Sequence, residues 1–593
     1  PYHYGAPEGS YAKDPEGAAR ILEFREMVAG LHAIGLNVVM DVVYNHTSAS
    51  GFWDNSVLDK IVPGYYHRLN PTTGRVENST CCDNTAVEHF MMEKLMVDTL
   101  VIWAKYYKID SFRFDLMGHH PKSSVVNSLL ALQQLTPEQD GVQGSRIYLY
   151  GEGWNFGEIA YDSQFTQATQ FNMAGTRVGT FNDRIRSAVR GGNFTDKGFQ
   201  QGVASGQAMY SNGKLEGNND RGKLLDFKDT VRIGMAGNLQ NYEFISHGGL
   251  LTKGKDYGFG CPDCDGVGYT FDPQENVSYI DKHDNESLWD NTQAKLPWAF
   301  DTDTRARIQL LSQAYVNYGQ GVPFHQMGTD LLRSKSMDRN TYDSGDWFNA
   351  VFFDRSSNNW GVGKPLEGDN GNFWTDLDWI LTNPNIVVTS AVLDKTASMF
   401  QEQLKVRYSS QLFRLETDEQ IDTRVKFHNT GPSQIDGLIA MSISDAACAG
   451  EDLDPDRDGV MVLINSDDEQ VQFTAPFPAN FVLHPILATS VDPLTAQASY
   501  SGGIFTIPKM TAAVFYTVQG DGGFNCGTLN QRGFSVFFKK PSDWDWGIRA
   551  AYTSNQAGEV PLPGRPMQPV GQGWYVYTMP ANSQGADFWF TDG

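Results

Sequence analysis

Long apolar runs are absent. No stretch of this 593-residue chain approaches the roughly 20 residues that a membrane-spanning helix needs, so no membrane span is expected. Cysteine is scarce, at six residues, which excludes a cysteine-dense stapled scaffold. Positive charge is under-represented: 46 Lys and Arg stand against 70 Asp and Glu, for a formal charge of −24. That balance argues against nucleic acid or an anionic membrane as the main partner, whereas a neutral ligand meets no such objection. No initiator methionine precedes Pro1, and no charged-then-apolar leader follows it. The expectation is a processed or truncated chain whose export signal lies outside it. No clear internal repeat is visible.

The chain exceeds what one hydrophobic core organises, so several domains are expected. Aromatic residues reach 12%, with 13 Trp, 25 Tyr and 35 Phe. Such rings pack against the apolar faces of sugars, although large cores would account for them equally. The cysteines are Cys81, Cys82, Cys261, Cys264, Cys448 and Cys526. The adjacent pair and the tight Cys261-Pro-Asp-Cys264 loop are read as local disulfides formed in an oxidising compartment. Zinc held by both pairs is the alternative, disfavoured because Cys-Cys is poor spacing for a tetrahedral site.

Residues 15–34 read as an amphipathic helix opened by Pro15 and Glu16 and closed by Gly35. The run 36–43 follows as a buried strand. Helix 90–107 precedes strand 108–115, and a helix near 122–134 precedes strand 146–150. Val277 to Ile280 is another strand, followed by a helix from about Thr304 to Tyr318 and a strand-like Gly321 to His325. Uniformly apolar strands alternating with helices mean a parallel sheet covered by helices, best fitted by a β/α barrel with acids at its strand ends. The helix from Thr396 to Arg414 is the last strong one. Beyond it, Leu438–Ile443, Val460–Asn465 and Ala512–Thr517, separated by turn residues, read as an all-β domain. Gln519 to Gly523 reads as a linker, and Gly533–Phe538 and Gly573–Thr578 as strands of a small second β module.

Four segments carry the chemistry: Asp41 to His46, Phe112 to Asp115, Tyr150 to Trp154, and His283 to Asn285. An Asp at a strand end is more often a cap or turn former than a nucleophile; the company raises the odds. Arg113 lies two residues before Asp115, on the same side of a strand, where a cation holds the carboxylate ionised and aimed. Glu152 lies between glycines beside Trp154. The glycines are read as allowing close approach of substrate, and the aromatic wall as raising the carboxyl pKa for a general acid. His283-Asp284 adds a third acid and a neutral donor, and His46 another donor. Acids on three strand ends suit glycosidic bond cleavage, in which one carboxylate attacks and another protonates the leaving oxygen.

In order and wording these segments resemble the signature regions of the α-amylase superfamily, glycoside hydrolase family 13, and most closely its pullulanase and limit-dextrinase branch. Phe112-Arg113-Phe114-Asp115-Leu116-Met117-Gly118-His119, Ser334-Lys335-Ser336 and Ser344-Gly345-Asp346-Trp347-Phe348-Asn349 carry the branch resemblance, which runs from Pro1 to about Val518. Pro1-Tyr2-His3-Tyr4 resembles the tail of the branch motif Tyr-Asn-Trp-Gly-Tyr-Asp-Pro, which implies that the first two barrel strands lie outside this chain. The resemblance implies a (β/α)8 barrel over 1–416, lacking those strands, an all-β domain over 417–518, a linker over 519–531 and a β-sandwich module over 532–593. It implies that Asp115 is the nucleophile, Glu152 the general acid/base and Asp284 the transition-state stabiliser. His46, Arg113 and His283 would line the subsite of the attacked glucose. Trp154, Phe181, Asp183 and Arg186 fall on the leaving-group side, and Arg339 and Asn340 on the wall of the next subsite inward; the branch often has Asp where Asn340 stands. The terminal module resembles a starch-binding domain of carbohydrate-binding family 26 or 25, which implies Trp544, Trp546, Tyr552 and Trp574 as stacking platforms, with core packing the alternative for some of them.

The implied function is retaining, endo-acting hydrolysis of α-1,6 branch linkages in pullulan, amylopectin and limit dextrins. The partners are those α-glucans, the chain is expected to be a monomer, and its place is extracellular or at the cell surface. No cofactor is needed for this chemistry. The alternatives are an α-1,4-acting amylase, an isoamylase, or a catalytically idle glucan-binding protein. Asp454-Pro-Asp456-Arg-Asp458-Gly459 starts like a structural calcium loop, but its twelfth position is Asn465 and it runs into a strand; an acidic hairpin turn is the preferred reading. Asn45-His46-Thr47 fits a glycosylation sequon and is read as chance, since it falls in the candidate site.

Overall fold

A computed structural model of the protein describes residues 3–192, 198–258, 266–446, 449–520, 535–541, 549–554, 558–571, 574–578 and 587–591. Six strands form one parallel sheet in chain order: β1 (Val39–Val42), β2 (Ser111–Phe114), β3 (Tyr148–Gly151), β4 (Gly179–Asn182), β5 (Asn276–Tyr279) and β6 (Val322–Phe324). Consecutive parallel neighbours require a crossover on each connection. The longer helices are α1 (Ala19–Ala33), α2 (Phe90–Tyr107), α3 (Lys122–Gln133), α4 (Asp183–Arg190), α5 (Arg221–Met235), α6 (Leu288–Lys295), α7 (Thr302–Asn317) and α8 (Ser390–Tyr408). Helix α2 shows why they cover the sheet. Met92, Met96, Leu100, Trp103 and Tyr107 recur at helical spacing and are all buried, in one cluster with Phe112 and Phe114 of β2 and Leu149 of β3.

The sheet is a curled half-barrel with two edges, β1 and β6, which do not pair with each other. Val39 on β1 is 43% exposed, as an edge residue is. The helices expected over 90–107 and 122–134 fall where the apolar period placed them. Strand β4 and helices α4 and α5 were not anticipated. Gly179-Thr180-Phe181-Asn182 has one large apolar residue, yet all four are buried, because Asn182 turns its side chain to cap the amides of Arg184 and Ile185.

After α8 the chain is antiparallel. Strands β7 (Val425–Phe427), β8 (Leu438–Ser444), β9 (Arg457–Asn465), β10 (Val471–Thr474), β11 (Val482–Leu483), β12 (Ser499–Ser501), β13 (Ile504–Ile507) and β14 (Thr511–Val518) make a five-stranded sheet, ordered β7-β8-β9-β14-β11, and a three-stranded one, β10-β13-β12. The acidic 454–458 segment is the turn into β9. Arg457 pairs with Asp454 at 2.9 Å, and Asp454 accepts the Asp456 amide. Asp454 thus bonds within its own turn. The last strands form two three-stranded antiparallel sheets: β15 (Ser535–Lys539), β19 (Trp574–Thr578) and β18 (Gln568–Gly571) in one, β17 (Gly558–Pro566), β16 (Arg549–Ser554) and β20 (Asp587–Thr591) in the other. Phe538 stacks on Phe590 between them at 4.1 Å. Trp544 and Trp546 lie outside the described residues, as do Cys261, Cys264, Cys448 and Cys526.

Candidate active site

The C-terminal ends of the parallel strands converge on a cleft of about 830 Å³ lined by His46, Asp115, Glu152, Trp154, Asp183, Arg186, Asp284, Arg339 and Asn340, among others. Each acid is delivered by its strand. Asp115 follows β2 and its amide donates to the Val42 carbonyl of β1 (2.9 Å). Glu152 follows β3, tied by its amide to the Phe114 carbonyl (3.1 Å), and Asp284 lies in the loop after β5. The rim of a parallel sheet is where side chains from different strands meet without interrupting the ladder.

One buried cation joins the acids. Arg113, 5% exposed, pairs through Nη1 with Asp41 (2.8 Å) and Asp115 (3.2 Å), and through Nη2 with Glu152 (3.0 Å). Asn45 donates to both the carbonyl and Oδ2 of Asp115, at 2.8 and 3.0 Å. It is 1% exposed, which removes it as a glycosylation site. His46 bonds the Asn45 side chain through Nδ1 (2.5 Å), and burial holds its pKa below the ordinary value against the pull of Asp115. It is neutral at pH 7, as is His283, also lowered by burial.

A second cation, Lys282, was missed by the sequence reading. It is 4% exposed, and its ammonium bonds both Glu152 and Asp284, the latter at 2.6 Å. Its position two residues before Asp284 was the available signal, since both then face one way in extended chain. Burial opposes the charge on Glu152, but Lys282 and Arg113 outweigh it, so its pKa lies below the ordinary carboxylate value. The expected upward shift from the Trp154 wall is therefore corrected: two cations reach the carboxylate and the indole does not neutralise them. Asp284 is brought down to about 2, Lys282 and His283 overcoming its burial.

The residues expected on the leaving-group side divide. Trp154, Asp183 and Arg186 line the cleft, with Asp183 opening α4 and accepting from Gln170 (2.9 Å), and Arg186 bonded to the Tyr279 hydroxyl (2.8 Å). Phe181 does not line it. It is 1% exposed, packed edge-on to Tyr150, Tyr279 and Phe324, with Arg113 and Lys282 over its ring at 5.7 and 5.6 Å. A side chain on the inward face of β4 becomes the floor beneath the cations rather than a wall of the groove.

Arg339 and Asn340 reach the cleft through the Ser334-Lys335-Ser336 segment. Ser334 Oγ and the Lys335 amide both donate to buried Asp290 of α6 (2.5 and 2.7 Å), and Lys335 Nζ reaches the His283 carbonyl (3.0 Å). The motif staples the loop carrying Arg339 to the loop carrying Asp284. Cys81 and Cys82 form a disulfide at the cleft edge, with Cys81 Sγ 3.6 Å from His46. That pairing excludes both as zinc thiolates in this state.

A parallel β/α sheet with three acids and two buried cations at its C-terminal rim is the arrangement of a barrel-type glycoside hydrolase. Residues 355–518 match the family model for the C-terminal region of pullulanase-type α-1,6-glucosidases. The chain is 45% identical over 528 residues to pullulanase 1, chloroplastic, of Arabidopsis thaliana, covering 87% of this chain and 54% of that protein. It is 42% identical over 532 residues to a pullulanase of Klebsiella pneumoniae, covering 88% and 47%. The crystal structure of the maltotriose complex of PulA from Klebsiella pneumoniae superposes with a TM-score of 0.82 at 41% identity, covering 88% of this chain and 55% of that one. The chain belongs to the pullulanase branch of glycoside hydrolase family 13. It spans about half the length of the curated relatives it matches.

Proposed function

We propose that the protein is a retaining, endo-acting hydrolase of α-1,6 branch linkages in pullulan, amylopectin and limit dextrins. The observation that carries this reading is the single guanidinium of Arg113 holding Asp115 and Glu152 together at the cleft. Both carboxyl groups thus face the same cleft, and the retaining mechanism has them about 5–5.5 Å apart, with no water between nucleophile and anomeric carbon. Asp115 attacks the anomeric carbon while Glu152 protonates the leaving oxygen. Glu152 then takes a proton from the water that frees the glucosyl enzyme. Asp284 stabilises the positive charge that develops on the ring. His46 and His283, neutral, donate to sugar hydroxyls, and Trp154, Asp183, Arg186, Arg339 and Asn340 hold the flanking glucose units. The chemistry draws on side chains alone.

The finer architecture belongs to the same proposal. Two further strands between β6 and β1 would close the barrel, and its domain would run over 1–416, followed by 417–518, a linker at 519–531 and a starch-binding module at 532–593. Trp589 on β20, 47% exposed, supports a sugar platform there. Trp574 opens β19. The Cys81–Cys82 disulfide supports an extracellular or cell-surface setting. Among the described residues no helix is long and apolar enough to cross a membrane. A monomer is proposed.

The test is pullulan digestion. The full-length protein should release maltotriose, and Asp115→Asn and Glu152→Gln should each lower turnover by about 10³–10⁶-fold with unchanged thermal unfolding. Panose-type products would indicate an α-1,4-acting amylase instead, and near-normal turnover in Asp115→Asn would remove it as nucleophile.

A further inference from the structure

We propose that Lys282 is a positioning residue of the hydrolytic site: its ammonium ties Glu152 to Asp284 and sets the pH above which Glu152 has no proton to give. The inference rests on the reading of Glu152 as general acid/base.

The geometry is specific. Glu152 is 2% exposed, and every contact its carboxyl makes is with a donor. Oε1 takes both the Lys282 ammonium and the Arg113 guanidinium, and Oε2 takes the Leu116 amide at 3.0 Å. A carboxyl ringed by donors is in its acceptor-only, ionised form, because a protonated carboxyl needs an acceptor for its own hydrogen. That form suits the second half of the reaction, where Glu152 works as base, and opposes the first half, where it works as acid. The charges facing the pair are Asp41, Arg113 and Asp115 from β1 and β2, Tyr279 at the end of β5, and His283 and Asp284 on Lys282's own loop. Arg113 divides its charge among three carboxylates. Lys282 has two, both in this site, and its burial leaves water no share of the ammonium. It is therefore the cation whose removal changes Glu152 most directly. The bridge also gives Asp284 a fixed place: as substrate enters between the acids, the ammonium keeps Asp284 Oδ2 tethered while Glu152 turns to the leaving oxygen.

The sign follows. A neighbouring cation favours ionised Glu152, so it brings down the basic limb of kcat/KM, the limb on which the acid must still be protonated. Lys282→Gln should raise that limb on pullulan by about 1–2 pH units, and Lys282→Arg should leave it near the wild-type position. An α-maltosyl fluoride, whose leaving group needs no proton, should show no such limb in any of the three proteins. A limb unmoved in Lys282→Gln, or one moved equally with the fluoride, overturns the proposal. Glu152→Gln run beside them separates the two readings. If it loses no more on pullulan than on the fluoride, Glu152 is not the acid, and the inference falls with that reading. If it loses selectively on pullulan while Lys282→Gln keeps the wild-type limb, the role of Lys282 alone is refuted. Should Lys282→Gln fail to fold, Lys282→Met, which keeps an apolar stem without the charge, is measured in its place: a limb raised on pullulan alone is expected, and a limb unmoved or moved equally with the fluoride overturns the proposal.

Discussion

At the scale of single residues, the site is a problem in placing charge. Four carboxylates, those of Asp41, Asp115, Glu152 and Asp284, meet one guanidinium and one ammonium; both cations are almost out of water and both are shared. Arg is suited to the first position because its planar fork presents several donors at fixed angles, whereas an ammonium is a point charge. Arg113→Lys keeps the charge but cannot reach Asp41, Asp115 and Glu152 together. It should lower kcat on pullulan by at least about 10²-fold, as a misplaced nucleophile does, with little change in thermal unfolding. A kcat within a few-fold of wild type would show that the fork is not what aligns the acids. The acids, His46, His283 and Arg113 were legible because they stand in short segments at or after strand ends whose wording resembles the family's signature regions. Asn45 was not, since its role depends on the strand that Asp115 follows, and Lys282 carried only its spacing from Asp284 as a signal, its bond to Glu152 lying across the sheet. The sign of the Glu152 shift was misjudged for the same reason. A nearby Trp can be read from the chain, but a cation 130 positions away cannot.

At the scale of elements, apolar period located most of the long helices and strands, because a helix such as α2 has to bury one face. It failed at β4, α4 and α5; β4 has one large apolar residue, and α4 is a short helix that starts from the Asn182 cap. The glycines beside Glu152 were read as making room for substrate. They make room for protein. A side chain at Gly151 would lie 2.6 Å from the Phe114 carbonyl and 2.8 Å from Met117 Cβ. One at Gly118 would fall on the Trp154 backbone, and the Gly118 amide donates to the Glu152 carbonyl two residues earlier (2.9 Å). The Gly118 of the branch motif is thus a close contact between the segments carrying Asp115 and Glu152. Gly118→Ala should cost about 1–3 kcal/mol by overpacking and should lower pullulan kcat/KM, because Trp154 is displaced with the backbone. Urea denaturation and initial rates check both; an unchanged midpoint would mean that the loop yields freely.

At the scale of the molecule, the parallel sheet's helices and the all-β domain share one core. Ile185 and Val189 of α4, Val231 of α5, Ile308 and Leu311 of α7, and Val425, Ile439, Val462 and Val514 of β7, β8, β9 and β14 belong to a single buried cluster. The seam also carries charge. Arg307 of α7 holds Asp492 of the all-β domain by two bonds, one at 2.7 Å, with Lys395 3.7 Å away, and Asp492 is fully buried. Burial resists its charge, but Arg307 and Thr495 bring its pKa down to about 2. The folded value lies below the unfolded one, so the stability this pair contributes is present above about pH 4 and is lost as pH falls toward 2. From that shift it amounts to about 2 kcal/mol. Arg307→Met leaves a buried carboxylate without its main partner and should cost about 3 kcal/mol at pH 7. The gap to wild type should then narrow as pH falls toward 2, because the buried Asp492 of Arg307→Met, without its cation, takes up its proton at a higher pH than in wild type. Urea midpoints at pH 7, 5, 4 and 3 measure it. A gap that stays constant with pH would assign the loss to the packing of the Arg307 stem against α8 and the seam, and would leave the shared apolar cluster as what joins the domains.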